Sequence, residues 1–146
     1  MADERTYPHR PFLAVSAAII RDGKVLLVRR ARKPALRLYT LPGGAVEAGE
    51  TLSDAVVREA REETALAIAP VALAGYREVI TRDLQGRVER HFVILSFAAR
   101  WLAGEPVLSE ELDDARWVNF SEIGAYRTTE GLAEIVEEAA RMSSRG

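Results

Sequence analysis

Gly43–Leu66 reads GGAVEAGETLSDAVVREAREETAL. Thr51, with Asp54 three residues later, makes a capping box, so a helix is expected to start there and run to about Thr64. At about 100° per residue, Leu52, Ala55, Val56 and Ala60 fall on one side and form a core stripe. Glu59 falls inside that stripe; Glu63 lies about 40° from it, and Glu62 about 60° away on the other side. Three carboxylates thus crowd the C-terminal end of an otherwise apolar face.

That crowding is costly. Anions near a helix C-terminus oppose the macrodipole, and like charges at i, i+4 repel. Arg58 can pair with Glu62 at i, i+4 and relieve part of it. Two readings are open: a solvated acidic face balanced by Arg58 and Arg61, or a site whose missing positive charge is a divalent cation. A donor set made only of carboxylates favours Mg²⁺ or Mn²⁺ over zinc. The residues before the helix favour the second reading. Gly43 and Gly44 can expose backbone carbonyls and let a ligand approach closely, and Glu47 and Glu50 add carboxylates at the helix entrance.

Outward from this segment the chain alternates strands and helices. Phe12–Ile20 and Lys24–Arg30 read as strands joined by Asp22-Gly23, a pair suited to a tight hairpin turn. A basic loop carrying Arg29, Arg30, Arg32, Lys33 and Arg37 leads to the glycines. Strands are expected within Val71–Arg82 and Val88–Arg100, with a turn at Asp83–Gly86, and a short one over Ala115–Phe120 after the acidic stretch SEELDD. Leu132, Ile135, Val136, Ala139 and Ala140 mark an amphipathic closing helix over Thr129–Arg141. The expected fold class is α/β (α+β), with a mixed sheet because two strand pairs look like hairpins. Residues 1–10 are polar and expected to be flexible or strapped to a neighbour; 11–146 are expected to form one domain.

Composition narrows the function classes. With 146 residues, 48% hydrophobic, 29% charged and a net charge of −2, the chain suits a globular protein. It lacks the basic balance of a nucleic-acid binder. There are no cysteines, which excludes disulfides and thiolate metal sites. The apolar run Phe12–Ile20 is too short to span a bilayer and lacks signal-peptide flanks. The expectation is a cytoplasmic protein with neither membrane nor nucleic-acid partner; a homodimer is left open.

The segment resembles the Nudix box, Gly-x5-Glu-x7-Arg-Glu-U-x-Glu-Glu-x-Gly-U with U bulky and apolar. Gly44, Glu50, Arg58, Glu59, Ala60, Glu62, Glu63 and Leu66 occupy its positions. Ala60 is small for its place. Ala65 stands where the box has its second glycine, a residue suited to the left-handed turn that ends a helix. The hairpin, the LYTLPGG approach, ARWVNFSEI and the closing helix also look like Nudix hydrolases. LLVRR, RVERHFV and LDDARWV are most similar to bacterial ADP-ribose pyrophosphatase-like members.

The resemblance implies a Nudix-type α/β/α sandwich and Mg²⁺-dependent (or Mn²⁺-dependent) hydrolysis of a nucleoside diphosphate linked to another group. Alternatives are a nucleotide-sanitising nucleoside triphosphate pyrophosphatase and a nucleotide-sensing domain that does not cleave. It also implies metal ligands at Gly43, Glu59, Glu62 and Glu63, with Arg58 orienting a glutamate and Glu50 and Gly44 shaping the box. The general base is left open among Glu62, Glu63 and a carboxylate of the later acidic loop, with Glu110 and Glu111 favoured there. Arg29, Arg30, Arg37 and Gly44 are the expected substrate contacts; solvated surface is the competing reading for the arginines.

Overall fold

The computed structural model describes residues 5–33 and 35–144. In chain order its elements are β1 (Phe12–Arg21), β2 (Lys24–Arg30), β3 (Tyr39–Thr40), β4 (Gly43–Ala45), α1 (Leu52–Thr64), β5 (Ala67–Arg82), β6 (Val88–Ala103), β7 (Leu112–Asn119), a 3₁₀ helix (Phe120–Ala125) and α2 (Leu132–Ser144). The first hairpin turns at Asp22 and Gly23, both left-handed (φ 50° and 76°), as the twist of a two-residue loop demands. Beyond the turn its strands part company. β1 runs parallel to β6 from the Phe12–Phe92 pair to Ile20–Arg100, and β2 runs antiparallel to β7. The sheet is therefore mixed, as expected from the hairpins.

Side-chain alternation in the central strands loads both faces of the sheet. Val15, Ala17 and Ile19 of β1 and Leu26 and Val28 of β2 pack with Ala55, Val56 and Ala60 of α1. Ala18, Val25 and Leu27, one position out of phase, pack with Leu132, Ile135, Val136 and Ala139 of α2. Because the strand period is two, neighbouring residues serve opposite layers, and the result is the α/β/α sandwich. Burying Val56 alone contributes roughly 1.5–3 kcal/mol.

Several boundaries differ from expectation, each because a long-range contact overrides local signal. β5 and β6 extend to Ala67 and Ala103, where they still pair with each other. β7 begins at Leu112, inside the acidic stretch, because it is drawn along β2. α2 starts at Leu132, not Thr129: Gly131 is left-handed (φ 82°) and Thr129 Oγ1 lies 3.1 Å from Thr40 Oγ1, holding the approach off the helix axis. Of the N-terminal segment, residues 1–4 lie outside the described residues, while the Tyr7 N–H donates to Glu89 O (2.8 Å).

α1 keeps the left-handed ending that a glycine would favour. Ala65 has φ 65° and ψ 12°, and its N–H donates to Arg61 O at 2.8 Å. A Cβ in that conformation is strained, so Ala65→Gly is expected to stabilise the fold by about 1 kcal/mol. Urea unfolding of the two proteins checks this.

Candidate functional site

Backbone pairing gathers one cleft at the C-terminal end of α1. The glycines form a short strand. β4 lies antiparallel on β1, with Gly44 opposite Val15 and Gly43 opposite Ser16. Neither glycine has a left-handed φ; both are small because of what lies against them. A Cβ on Gly43 would strike the Val15 carbonyl oxygen, and one on Gly44 would come within 2.5 Å of the Glu59 carboxylate. Glycine here permits close approach of backbone to backbone and of backbone to an acid.

The opposite wall arrives through the helix end. The last carbonyls of an α-helix lack intrahelical donors, and the segment after β6 supplies them: Val107 N–H donates to Thr64 O (2.9 Å) and Ser109 N–H to Glu63 O (3.3 Å). These bonds carry Ser109, Glu110 and Glu111 to the acidic end of α1. Ala31 N–H donates to Glu111 O (2.8 Å), which brings the segment bearing Arg32 alongside. The cleft between these walls has a volume of about 420 Å³, and Gly43, Gly44, Glu59, Glu62, Glu63, Glu110 and Glu111 all line it, with Ala45, Ser109, Arg5 and Arg32.

The acids are held in different ways. Arg58 is a hub. Its Nε and Nη2 donate to the two oxygens of Glu50 (2.6 and 2.9 Å), Nη1 donates to Glu59 (2.8 Å) and Glu62 (3.1 Å), and Nη2 also reaches the Ala45 carbonyl (3.0 Å). The guanidinium ties the helix to the strand before it. The fork beside Glu50, helped by the Glu47 N–H, holds the Glu50 carboxyl down to about 2. Glu59 is 14% exposed and Glu62 59%; burial raises the Glu59 pKa against the pull of Arg58. Glu63 is 8% exposed. Burial pushes its carboxyl up to about 7, with Glu59 and Glu111 adding to the rise and the Gly43 N–H (3.3 Å) and Arg30 opposing it.

The basic cluster at the end of β2 and in the loop after it divides between the cleft and other partners. Arg29, Arg30 and Arg37 are not among the residues lining the cleft. Arg29 lies in the β2–β7 ladder and donates to Asp113 (2.6 Å), and Arg37 sits at a left-handed bend (φ 66°). Arg30 acts from outside, through its charge on Glu63. Asp113 and Asp114 are likewise taken up by partners: Arg29 for the first, and the Tyr39 hydroxyl and Arg116 for the second. Among the described residues, Arg32 and Arg5 are the cations that line the cleft.

Comparison with known proteins places the molecule. The sequence model of one family, described as NUDIX domain, matches residues 10–139. The chain belongs to the NUDIX family. It is 34% identical over 119 residues to an ADP-ribose pyrophosphatase of Methanocaldococcus jannaschii, covering 82% of this chain and 68% of that one. It is 35% identical over 117 residues to a putative 8-oxo-dGTP diphosphatase 2 of Mycobacterium tuberculosis, covering 73% and 79%. The MutT NUDIX hydrolase from Burkholderia pseudomallei shares its fold with a TM-score of 0.77 at 29% identity, over 89% of this chain and 98% of that one. This Nudix protein is a hydrolase acting on pyrophosphate bonds, in a family that uses divalent metal ions. Among the described residues, no helix is long and apolar enough to cross a membrane.

The Nudix cleft suits such an ion in its chemistry. Its acids offer hard oxygens, with no thiolate or imidazole among the lining residues. Among the described residues, no three acidic or imidazole groups already converge on one point, because Glu59 and Glu62 face Arg58. The buried Glu63 carboxyl is the clearest mark of a charge that the fold alone compensates poorly.

That mark has a measurable consequence. A glutamate in the unfolded chain titrates near 4.5, and Glu63 in the folded one near 7. Between those values the folded state binds the proton more tightly, so stability falls as pH rises from about 4.5 to 7. For protein stripped of metal by a chelator, this group is expected to cost roughly 2 kcal/mol between pH 5 and 8. Thermal unfolding of the wild type and of Glu63→Gln across that range checks it: the variant's contribution should be flat.

Proposed function

We propose that this protein is a Mg²⁺-dependent pyrophosphohydrolase that cleaves the diphosphate of a nucleoside diphosphate linked to a second group, ADP-ribose being the representative substrate, with residues 11–146 acting as one domain. The observation that carries the reading is the pair Glu59 and Glu63, two largely buried carboxylates on the wall of an open cleft beside the Gly44 backbone. Two anions kept from water so near each other are costly unless a cation joins them. The ADP-ribose pyrophosphatase similarity and the motifs LLVRR, RVERHFV and LDDARWV support the substrate class.

Glu59, Glu62, Glu63 and the Gly43 carbonyl would hold the ion. When bound, a divalent cation neutralises diphosphate oxygens and lowers the pKa of a coordinated water. The chain's own groups do the rest. Arg58 fixes Glu59 and Glu62 in place while Glu50 anchors the guanidinium. Gly44 leaves room for the Glu59 carboxylate. Arg32, paired with Glu110 at 3.4 Å across an exposed edge, offers a cation to the substrate's phosphates. A carboxylate within reach of the attacking water takes its proton. Of the two loop candidates, Glu111 is the better placed, since its charge acts on Glu63 and that of Glu110 is engaged with Arg32. Glu111→Gln is therefore expected to cost roughly a hundredfold in kcat and Glu110→Gln severalfold; equal losses would remove Glu111 from the role.

The similarity to a putative 8-oxo-dGTP diphosphatase supports a second reading, a nucleoside triphosphate pyrophosphatase. Product analysis separates the two. With Mg²⁺ or Mn²⁺, ADP-ribose yields AMP and ribose 5-phosphate, whereas a triphosphate yields a monophosphate and pyrophosphate. Turnover of triphosphates alone would overturn the first assignment, and turnover of neither would overturn both.

A further inference from the structure

The cleft presents an electrostatic difficulty for any diphosphate substrate. Five glutamates line it, and among the described lining residues the cations are Arg5 and Arg32. Arg5 belongs to the polar N-terminal segment, far in sequence from the Nudix box, and nothing in its spacing points to a role. Its position is set two residues downstream. The Tyr7 hydroxyl donates to Asp83 Oδ2 (2.8 Å), its N–H donates to Glu89 O (2.8 Å), and the Arg87 guanidinium lies 5.0 Å from its ring centroid. Asp83 is itself pinned, accepting from the backbone N–H groups of Gln85 and Arg87 at 2.9 Å each. Tyr7 adopts a left-handed φ of 53°, which a side-chain-bearing residue seldom takes unless its surroundings hold it there. The clamp lies on the turn between β5 and β6, and it delivers Arg5 to the cleft wall, where its charge is felt by Glu59.

We propose that Arg5–Tyr7 forms a fixed wall of the substrate site, in which Arg5 binds a phosphate oxygen of the diphosphate and Tyr7 is the positioning residue that holds it there. This rests on the pyrophosphohydrolase reading above. A planar guanidinium can give a phosphate two parallel N–H donors, which a lysine cannot. The anchor sits on the turn of the long β5–β6 hairpin, where Tyr7 and Asp83 are hydrogen-bonded, so the arginine is held at the cleft before the substrate arrives.

The test is steady-state kinetics on the best diphosphate substrate with Mg²⁺, beside calorimetric binding of imidodiphosphate with Mg²⁺ to the same proteins. Arg5→Ala is expected to raise KM and weaken imidodiphosphate binding about tenfold, with kcat changed less than about threefold. Arg5→Lys should fall between it and the wild type. Tyr7→Phe, which keeps the ring and loses the bond to Asp83, should raise KM about threefold. Because Tyr7 acts through Arg5, adding Tyr7→Phe to Arg5→Ala should change KM no further. An unchanged KM in Arg5→Ala overturns the proposal, and so does full additivity in the double variant. A wild type that neither hydrolyses a diphosphate nor binds imidodiphosphate overturns the underlying reading along with it; a wild type that does both while Arg5→Ala matches it overturns this inference alone.

Discussion

Glu63→Gln is expected to reduce Mg²⁺-dependent turnover roughly a thousandfold, the loss of several kcal/mol of transition-state stabilisation. The same change should make the metal-free protein more stable at neutral pH. The two effects share one cause. Glu63 is 8% exposed, and burial raises its carboxyl to about 7, so near neutrality the fold is holding an anion it would rather protonate. Glutamine has the same shape and keeps an oxygen to accept the Gly43 N–H, but it carries no charge to be desolvated. A residue that matters only to folding would lose stability and activity together; a ligand for a cation should trade one against the other. Initial rates over a Mg²⁺ titration, paired with unfolding in chelator, measure both. Near-normal turnover at saturating Mg²⁺ would remove Glu63 from the metal site.

Arg58→Ala should destabilise the protein by about 3–5 kcal/mol, the penalty of leaving buried charge without its partner. The side chain serves five acceptors, among them the largely buried carboxylates of Glu50 and Glu59 and the Ala45 carbonyl. Removing it strands all of them and unties β4 from α1. Arg58→Lys restores a charge but not the planar fork of donors, so it should recover no more than about half of that loss. Urea unfolding in chelator compares the three proteins without interference from a bound ion. Activity should fall further than stability explains, because Glu59 loses the contact that fixes its direction. A loss below about 1 kcal/mol in Arg58→Ala would show the network to be an ordinary surface one.

Helix α1 is a local matter, legible in the order of its residues. Its period, its Thr51 cap and its core stripe are all relations within a few positions, and Asp54 N–H donates to Thr51 Oγ1 at 3.1 Å. The same period puts Glu59 and Glu63 on the inner face. It does not show that Glu62 stays 59% exposed, because how far a stripe is buried depends on what packs over the helix end. The spacing of Gly43 and Gly44 from the helix is legible too, but their purpose is not. A turn looks the same in sequence as a strand whose side chains have been deleted to let another strand and a carboxylate come close.

The basic loop shows where local reading runs out. Arg29, Arg30, Arg32 and Arg37 are neighbours in the chain and look alike there, yet strand pairing with β7 takes Arg29 to Asp113 while the contact between Ala31 and Glu111 leaves Arg32 at the cleft. From the amino-acid order alone came the hairpin, the acidic helix and the mixed sheet, since each depends on periods and turns that span a few residues; the sandwich and the reaction class came from the resemblance of Gly43–Leu66 to the Nudix box. Which carboxylates lose their water, which arginines face them, and that Arg5 joins them at all were decided by the folded chain. Burial and charge proximity are properties of pairs far apart in sequence, and they come into being when β1 lies on β6, β4 on β1, and the segment after β6 closes the end of α1.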